Sequence, residues 1–127
     1  MENTMLDWNE KVTIELPLGI DLNIALLVGR VEEQPELKYM PGSSAPVARF
    51  VLLTTEHRKN LKDERVNENL KHHIVVLGVE AENCRDCLKP GDRVKVEGRM
   101  KPKFIDQVGQ VKRFVFDVIS YDVEKLG

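Results

Sequence analysis

The chain has 127 residues, 42% apolar and 31% charged, with a formal net charge of −2; that size can bury one core, so a single domain is the default expectation. No apolar run approaches the roughly 18 residues of a membrane span, and acidic residues are scattered through the first 21 positions, which argues against a transmembrane helix or a secretory leader and for a soluble, cytoplasmic protein. The two cysteines, Cys84 and Cys87, exclude the disulfide framework of small secreted domains and fit a reduced compartment.

In chain order, Val12, Ile14 and Leu16 alternate with Lys11, Thr13 and Glu15, a period-2 strand ended by Pro17 and Gly19. Residues 24–31 form the next strand; its nearly continuous apolar run implies burial on both faces or a strong bend. Pro35 and the Pro41-Gly42-Ser43-Ser44 turn bracket a short extended piece containing Tyr39. Residues 47–55 are a third strand, after which residues 56–71 become a run of charges and asparagines, expected to be a mobile arm too polar to join a core. Strand character resumes at 72–79. Residues 80–89 are the only helix, stopped by Pro90-Gly91, and strands at 93–103 and 111–123 flank a turn at 106–110, where Gly109 is expected in the left-handed conformation.

Charge is distributed unevenly. Residues 1–37 hold eight acids and two bases, a net of −6, and residues 38–127 hold 17 bases against 13 acids, a net of +4. Much of the excess sits in one hairpin, where Arg99, Lys101, Lys103, Lys112 and Arg113 face Asp106 alone. Local charge rather than the total sets the field that a phosphate backbone meets. A solvated lysine-rich face would look the same from composition alone.

Three segments carry a resemblance by their order: Leu26-Leu27-Val28-Gly29-Arg30 leading to Pro35-Glu36-Leu37-Lys38-Tyr39-Met40-Pro41; His73-Ile74-Val75-Val76-Leu77-Gly78; and Lys89-Pro90-Gly91-Asp92-Arg93-Val94-Lys95-Val96-Glu97-Gly98-Arg99. Together they resemble the bacterial single-stranded DNA-binding proteins and their relative, the primosomal replication protein N, over residues 23–127. The resemblance implies an all-β protein, a five-stranded OB-fold barrel with one short helix, here with an extra N-terminal strand. The expected division is an N-terminal extension, 1–22, and an OB domain, 23–127. The extension, acidic and carrying Trp8 as a hydrophobic anchor, is expected to pair with a sheet edge and serve assembly rather than DNA.

An OB-fold that holds single strands needs flat side chains for bases and cations along the backbone. Alignment on the family pattern brings His57, His72, Gly78 and Phe104 near its stacking positions. Only Phe104 is a full aromatic; the histidines stack more weakly, and Gly78 cannot stack. Missing two or three platforms at about 1–3 kcal/mol each weakens binding by several kcal/mol. The implied DNA-binding set is Arg49, Arg58, Lys59, Lys101, Lys103, Lys112 and Arg113 on phosphate, with Phe104, His57, His72 and Tyr39 under bases. Tyr39, in a Lys-Tyr-Met-Pro segment, either packs beneath its loop or contacts nucleic acid. Phe50, Phe114, Phe116 and Tyr121 lie inside strands and are read as core.

Cys84-x-x-Cys87 falls inside the helix beside Glu82 and Asp86, which disfavours a thiolate, and its nearest further zinc donors, His72 and His73, are adjacent strand residues pointing to opposite faces. Both cysteines are read as structural or incidental. No Walker loop, nucleophile elbow or His-Glu-x-x-His appears, so neither catalysis, a cofactor nor a metal is expected. The function implied is single-stranded DNA binding with little sequence preference, in replication, recombination or repair, by a nucleoid-associated homo-oligomer, a tetramer or a dimer, working with other replication proteins. The sequence ends soon after its last strand, without the acidic tail that standard bacterial members carry, and this points towards the primosomal protein N type. The Lys-Tyr-Met-Pro and Val-Glu-Gly-Arg segments point back to the DNA-binding group. A third reading is an OB module kept only for protein contacts.

Overall fold

The computed structural model describes residues 19–127, so the strand expected at 11–16 and Trp8 lie outside the described residues. β1 (Ala25–Val31) pairs antiparallel with β5 (Arg93–Val108), and β5 in turn with β6 (Val111–Leu126). β6 runs parallel to β4 (Arg65–Leu77), which forms a long antiparallel hairpin with β3 (Pro46–Lys59). Arg30↔Leu53 and Val31↔Leu52 return β3 to β1 and close the barrel. This is the expected five-stranded OB barrel. A sixth strand among the described residues, β2 (Glu36–Tyr39), is the short extended piece around Tyr39 and adds to β3 by pairs from Glu36↔Arg49 to Tyr39↔Pro46.

Helix α1 (Val79–Cys87) lies between β4 and β5 and sends Ala81 and Cys84 into the core, joined by Leu88 just beyond it. The barrel interior is filled from alternate strand positions: Val31, Ala48, Phe50, Leu52, Ile74, Val76, Val94, Val96 and Val118. Burying each of these larger apolar side chains is worth about 1.5–3 kcal/mol, and the period-2 placement fixes which face of every strand looks outward. β1 is buried on one face only. Leu26 and Val28, with Ile24 before them, form an exposed apolar row, so its continuous hydrophobic run does not reflect burial on both faces.

Residues 56–71 are a ladder, not a loop. β3 and β4 stay paired as far as Lys59↔Arg65, and only residues 60–64 turn. Asn60 closes that turn, its Oδ1 accepting from the backbone N–H of Lys62 and Glu64, both at 2.9 Å. Polar cross-strand pairs line the arm: Thr55 Oγ1 donates to Asn69 Oδ1 at 2.8 Å, and His57 Nδ1 lies 2.7 Å from Asn67 Oδ1. The backbone is satisfied as fully there as in the core, so a polar sequence remains extended. At the opposite hairpin Gly109, φ +62°, makes a two-residue turn between Val108 and Val111.

Candidate nucleic-acid interface

β5 and β6 each run for 16 residues, which at roughly 3.3 Å per residue is longer than a small barrel is deep. Their distal halves therefore project as a two-faced ribbon. One face carries Lys101 and Lys103 opposite Asp117 and Val115, and the other carries Pro102 and Phe104 opposite Phe116 and Phe114. The first face bends over the outer surface of β3 and β4, leaving a groove of about 690 Å³ lined by Arg49, Val51, Lys71, His73, Lys103 and Asp117, among others.

Arg49 also borders a second depression of about 320 Å³, with Tyr39, Met40, Pro41, Val47 and Leu77. Tyr39 is half exposed at the end of β2. These two depressions form one track from Tyr39 past Arg49 to Lys103. A third, about 600 Å³, lies on the β3–β4 arm between His57, Arg58, Lys59 and Arg65.

The residues expected to hold DNA are thus divided among several surfaces. Tyr39, Arg49 and Lys103 line the track. Lys101 and Arg113 share the Lys103 side of the ribbon, while Phe104 and Lys112 lie on its reverse. His57, Arg58 and Lys59 sit on the arm. His72 pairs with Leu52 on the inward face of β4, opposite to His73, and its Nε2 shares a 2.8 Å hydrogen bond with Thr54 Oγ1. Burial there holds the His72 imidazole below its ordinary pKa, with a smaller contribution from His73.

Several cations are already engaged. Arg49 Nη1 lies 3.5 Å from Asp117 Oδ2, Arg58 Nε 3.1 Å from Glu68, and Lys59 3.5 Å from Asp63, while Arg113 chelates Asp106. That guanidinium holds the Asp106 carboxyl below the usual range. Among the described residues, no carboxylate lies within ion-pair distance of Lys101, Lys103 or Lys112.

Phe50 is buried as expected, but Phe114 is 53%, Phe116 55% and Tyr121 65% exposed. The core reading of these three is therefore overturned. Phe114 and Phe116 follow Lys112 in parity on a strand that outruns the barrel; a solvated lysine on that face was the available signal. Lys71 and His73 were also missed. The alternation that buries Ile74 directs both to the groove. Cys84 is buried, which raises its thiol to about 11, while Cys87 is exposed.

The Single-strand binding protein family profile matches residues 22–126. The chain belongs to that family. It is 30% identical over 108 residues to the single-stranded DNA-binding protein of Neisseria meningitidis serogroup A, covering 85% of this chain and 62% of that one. Single-stranded DNA-binding protein 3 of Clostridium acetobutylicum is also 30% identical, over 83% of this chain and 71% of the relative. This chain thus spans less than two thirds of the neisserial relative. Among solved structures, the Plasmodium falciparum SSB in complex with ssDNA superposes with a TM-score of 0.75 at 28% identity, over 85% of this chain and 97% of the other.

Proposed function

We propose that this chain binds single-stranded DNA without catalysis and acts in replication, recombination or repair in the cytoplasm. The observation that carries the reading is the open track over β3 and β4, walled by the lysine face of the β5–β6 ribbon and ended by the half-exposed Tyr39 ring. Its relatives are named for the same activity. Phosphates engage Lys101, Lys103 and Lys112 first, because these cations need not leave a protein carboxylate, and then Arg49, Arg58, Lys59 and Arg113. Bases stack on Phe104 and Tyr39, with His57 as a weaker platform. Contacts to phosphate and ring faces read little sequence. His72 contributes less, since its imidazole is turned inward and held by Thr54.

The protein works as a homo-oligomer. Ile24, Leu26 and Val28 present an apolar row on a strand whose edge, among the described residues, is unpaired before Arg30, a surface suited to a second copy. Light scattering separates dimer from tetramer.

A fluorescence-anisotropy titration with single- and double-stranded oligonucleotides of increasing length tests binding and site size together. Five to seven phosphate contacts give a slope of log K against log salt of roughly −3.5 to −5. A slope near zero, or equal affinity for duplex, overturns the reading.

A further inference from the structure

β1 leaves one edge open. From Ala25 to Arg30 it pairs with β5 on one side, whereas on the other side, among the described residues, only Arg30 and Val31 meet β3. The side chain of Asn23 fixes which backbone groups are left over. Its Oδ1 accepts from the Met100 N–H at 3.0 Å and its Nδ2 donates to the Met100 carbonyl at 2.8 Å, so Met100 turns both of its backbone groups towards β1. Alternation carries Gly98, Val96 and Val94 to the same side, opposite Ala25, Leu27 and Gly29. The N–H and C=O of Leu26 and Val28 therefore point the other way, where no described strand receives them. The same positions carry the exposed apolar row, which reaches back through Ile24 and Leu22 to Ile20. Just before it, Gly19 holds φ +85°, the conformation of a turn. An edge of this kind is a template for another strand.

We propose that residues 8–16 of the same chain fold back as an antiparallel strand onto this edge, through a hairpin loop at Pro17-Leu18-Gly19, so that a second copy meets the apolar face of β1 and not its edge. Every second residue from Val12 to Val28 is apolar, one unbroken alternation that spans the loop. Pro17 suits the second position of a type I turn, and a left-handed Gly19 after it completes the three-residue loop that joins such strands. That loop sets Leu16 opposite Ile20, Ile14 opposite Leu22 and Val12 opposite Ile24, all on the outer face. Continued along β1, the same register brings the backbone of Glu10 and Trp8 to the unused groups of Leu26 and Val28, so side-chain parity and hydrogen-bond parity agree. The one unfavourable pair is Glu15 opposite Asp21, next to the turn. The pairing stands apart from the single-strand reading; only the step to a second copy rests on the homo-oligomer reading above.

Hydrogen exchange on the full chain tests this, with the Leu26 and Val28 amides as reporters. Those of Ile74 and Val75, paired on both sides by β3 and β6, show that the barrel is folded. In the native protein Leu26 and Val28 are expected to be protected at every protein concentration, because the covering strand comes from the same chain. Ile14→Pro removes an N–H from the middle of that strand and should speed exchange at both by about tenfold or more while Ile74 and Val75 hold. Trp8, the only tryptophan, lies opposite Val28 in this register, so its emission should move to longer wavelength in the same variant. Rapid exchange of Leu26 and Val28 in the native protein overturns the proposal. So does protection that survives Ile14→Pro, or that fades on dilution and so gives the edge to a second copy. If Ile14→Pro does not fold, the native dilution series decides alone.

Discussion

Phe104 and Phe114 meet edge to face across the β5–β6 ribbon, with ring centroids 5.6 Å apart and planes at 70°, on the side opposite Lys103. Both rings remain about half exposed, so the pair is a platform with one ring buttressing the other rather than part of the core. Phe104→Ala is expected to weaken single-strand binding by about 1–3 kcal/mol with little change in the salt slope, because a stacking contact is lost and no phosphate contact is. Phe114→Ala should weaken it less, by about 0.5–1.5 kcal/mol, through loss of the edge contact. Anisotropy at several salt concentrations, alongside thermal melts, distinguishes this from a structural role, in which the melting temperature falls and affinity holds.

Arg113 and Lys103 share a ribbon face but differ in availability, since Asp106 already holds Arg113. Lys103→Ala should make the salt slope shallower by about 0.7, one phosphate's share for a single strand. Asp106→Asn releases the guanidinium and is expected to tighten binding and steepen the slope. Unchanged affinity in Asp106→Asn would remove Arg113 from the phosphate-binding set.

The barrel strands were legible because their signals are local: the β-branched and apolar run of residues 47–55, the Pro90-Gly91 stop after the helix, and the Gly109 turn all act within a few residues. The arm was not, because His57, Asn67 and Asn69 hold a ladder by hydrogen bonds across strands, and such pairing leaves no hydrophobic period to read. The site was only partly legible for a related reason. Lys103 and Tyr39 stand out as residue types, but which face of a strand they occupy depends on where the strand leaves the barrel. That is why Phe114 and Phe116 were assigned to the core and His72 to the binding surface, although alternation places His73, not His72, in the groove.

His72 makes stability sensitive to mild acid. Its folded pKa lies below the unfolded value of 6.5 because burial opposes the charged ring. Above that value both states are neutral and His72 adds no pH dependence. As pH falls through 6.5 the unfolded chain takes up a proton that the folded imidazole resists, so stability declines until the folded pKa is reached. His72→Gln keeps a partner for Thr54 and cannot titrate. Urea midpoints between about pH 7.5 and 5.5 should therefore fall less in this variant than in the native protein. Parallel declines would mean that His72 does not carry the effect.

Gly98 sits where β5 passes close to β6, next to the register shift after Glu97. A Cβ placed there would lie 2.2 Å from the Ile119 carbonyl oxygen and 2.9 Å from its carbon, both backbone atoms that cannot swing aside. Gly29 is under the same constraint, with the Leu53 oxygen 2.1 Å from its would-be Cβ. Relief requires β6 to move away from β5, which strains the ladder that positions Asp117 and the aromatic ribbon. Gly98→Ala is expected to cost about 3 kcal/mol, the upper end of overpacking penalties. Urea denaturation should show a lower midpoint with an unchanged slope, since the folded and unfolded surfaces stay nearly the same. Binding measured well below the new transition should weaken as well, because the ribbon is displaced. A Gly98→Ala protein as stable as the native one would mean that the strands do not approach this closely.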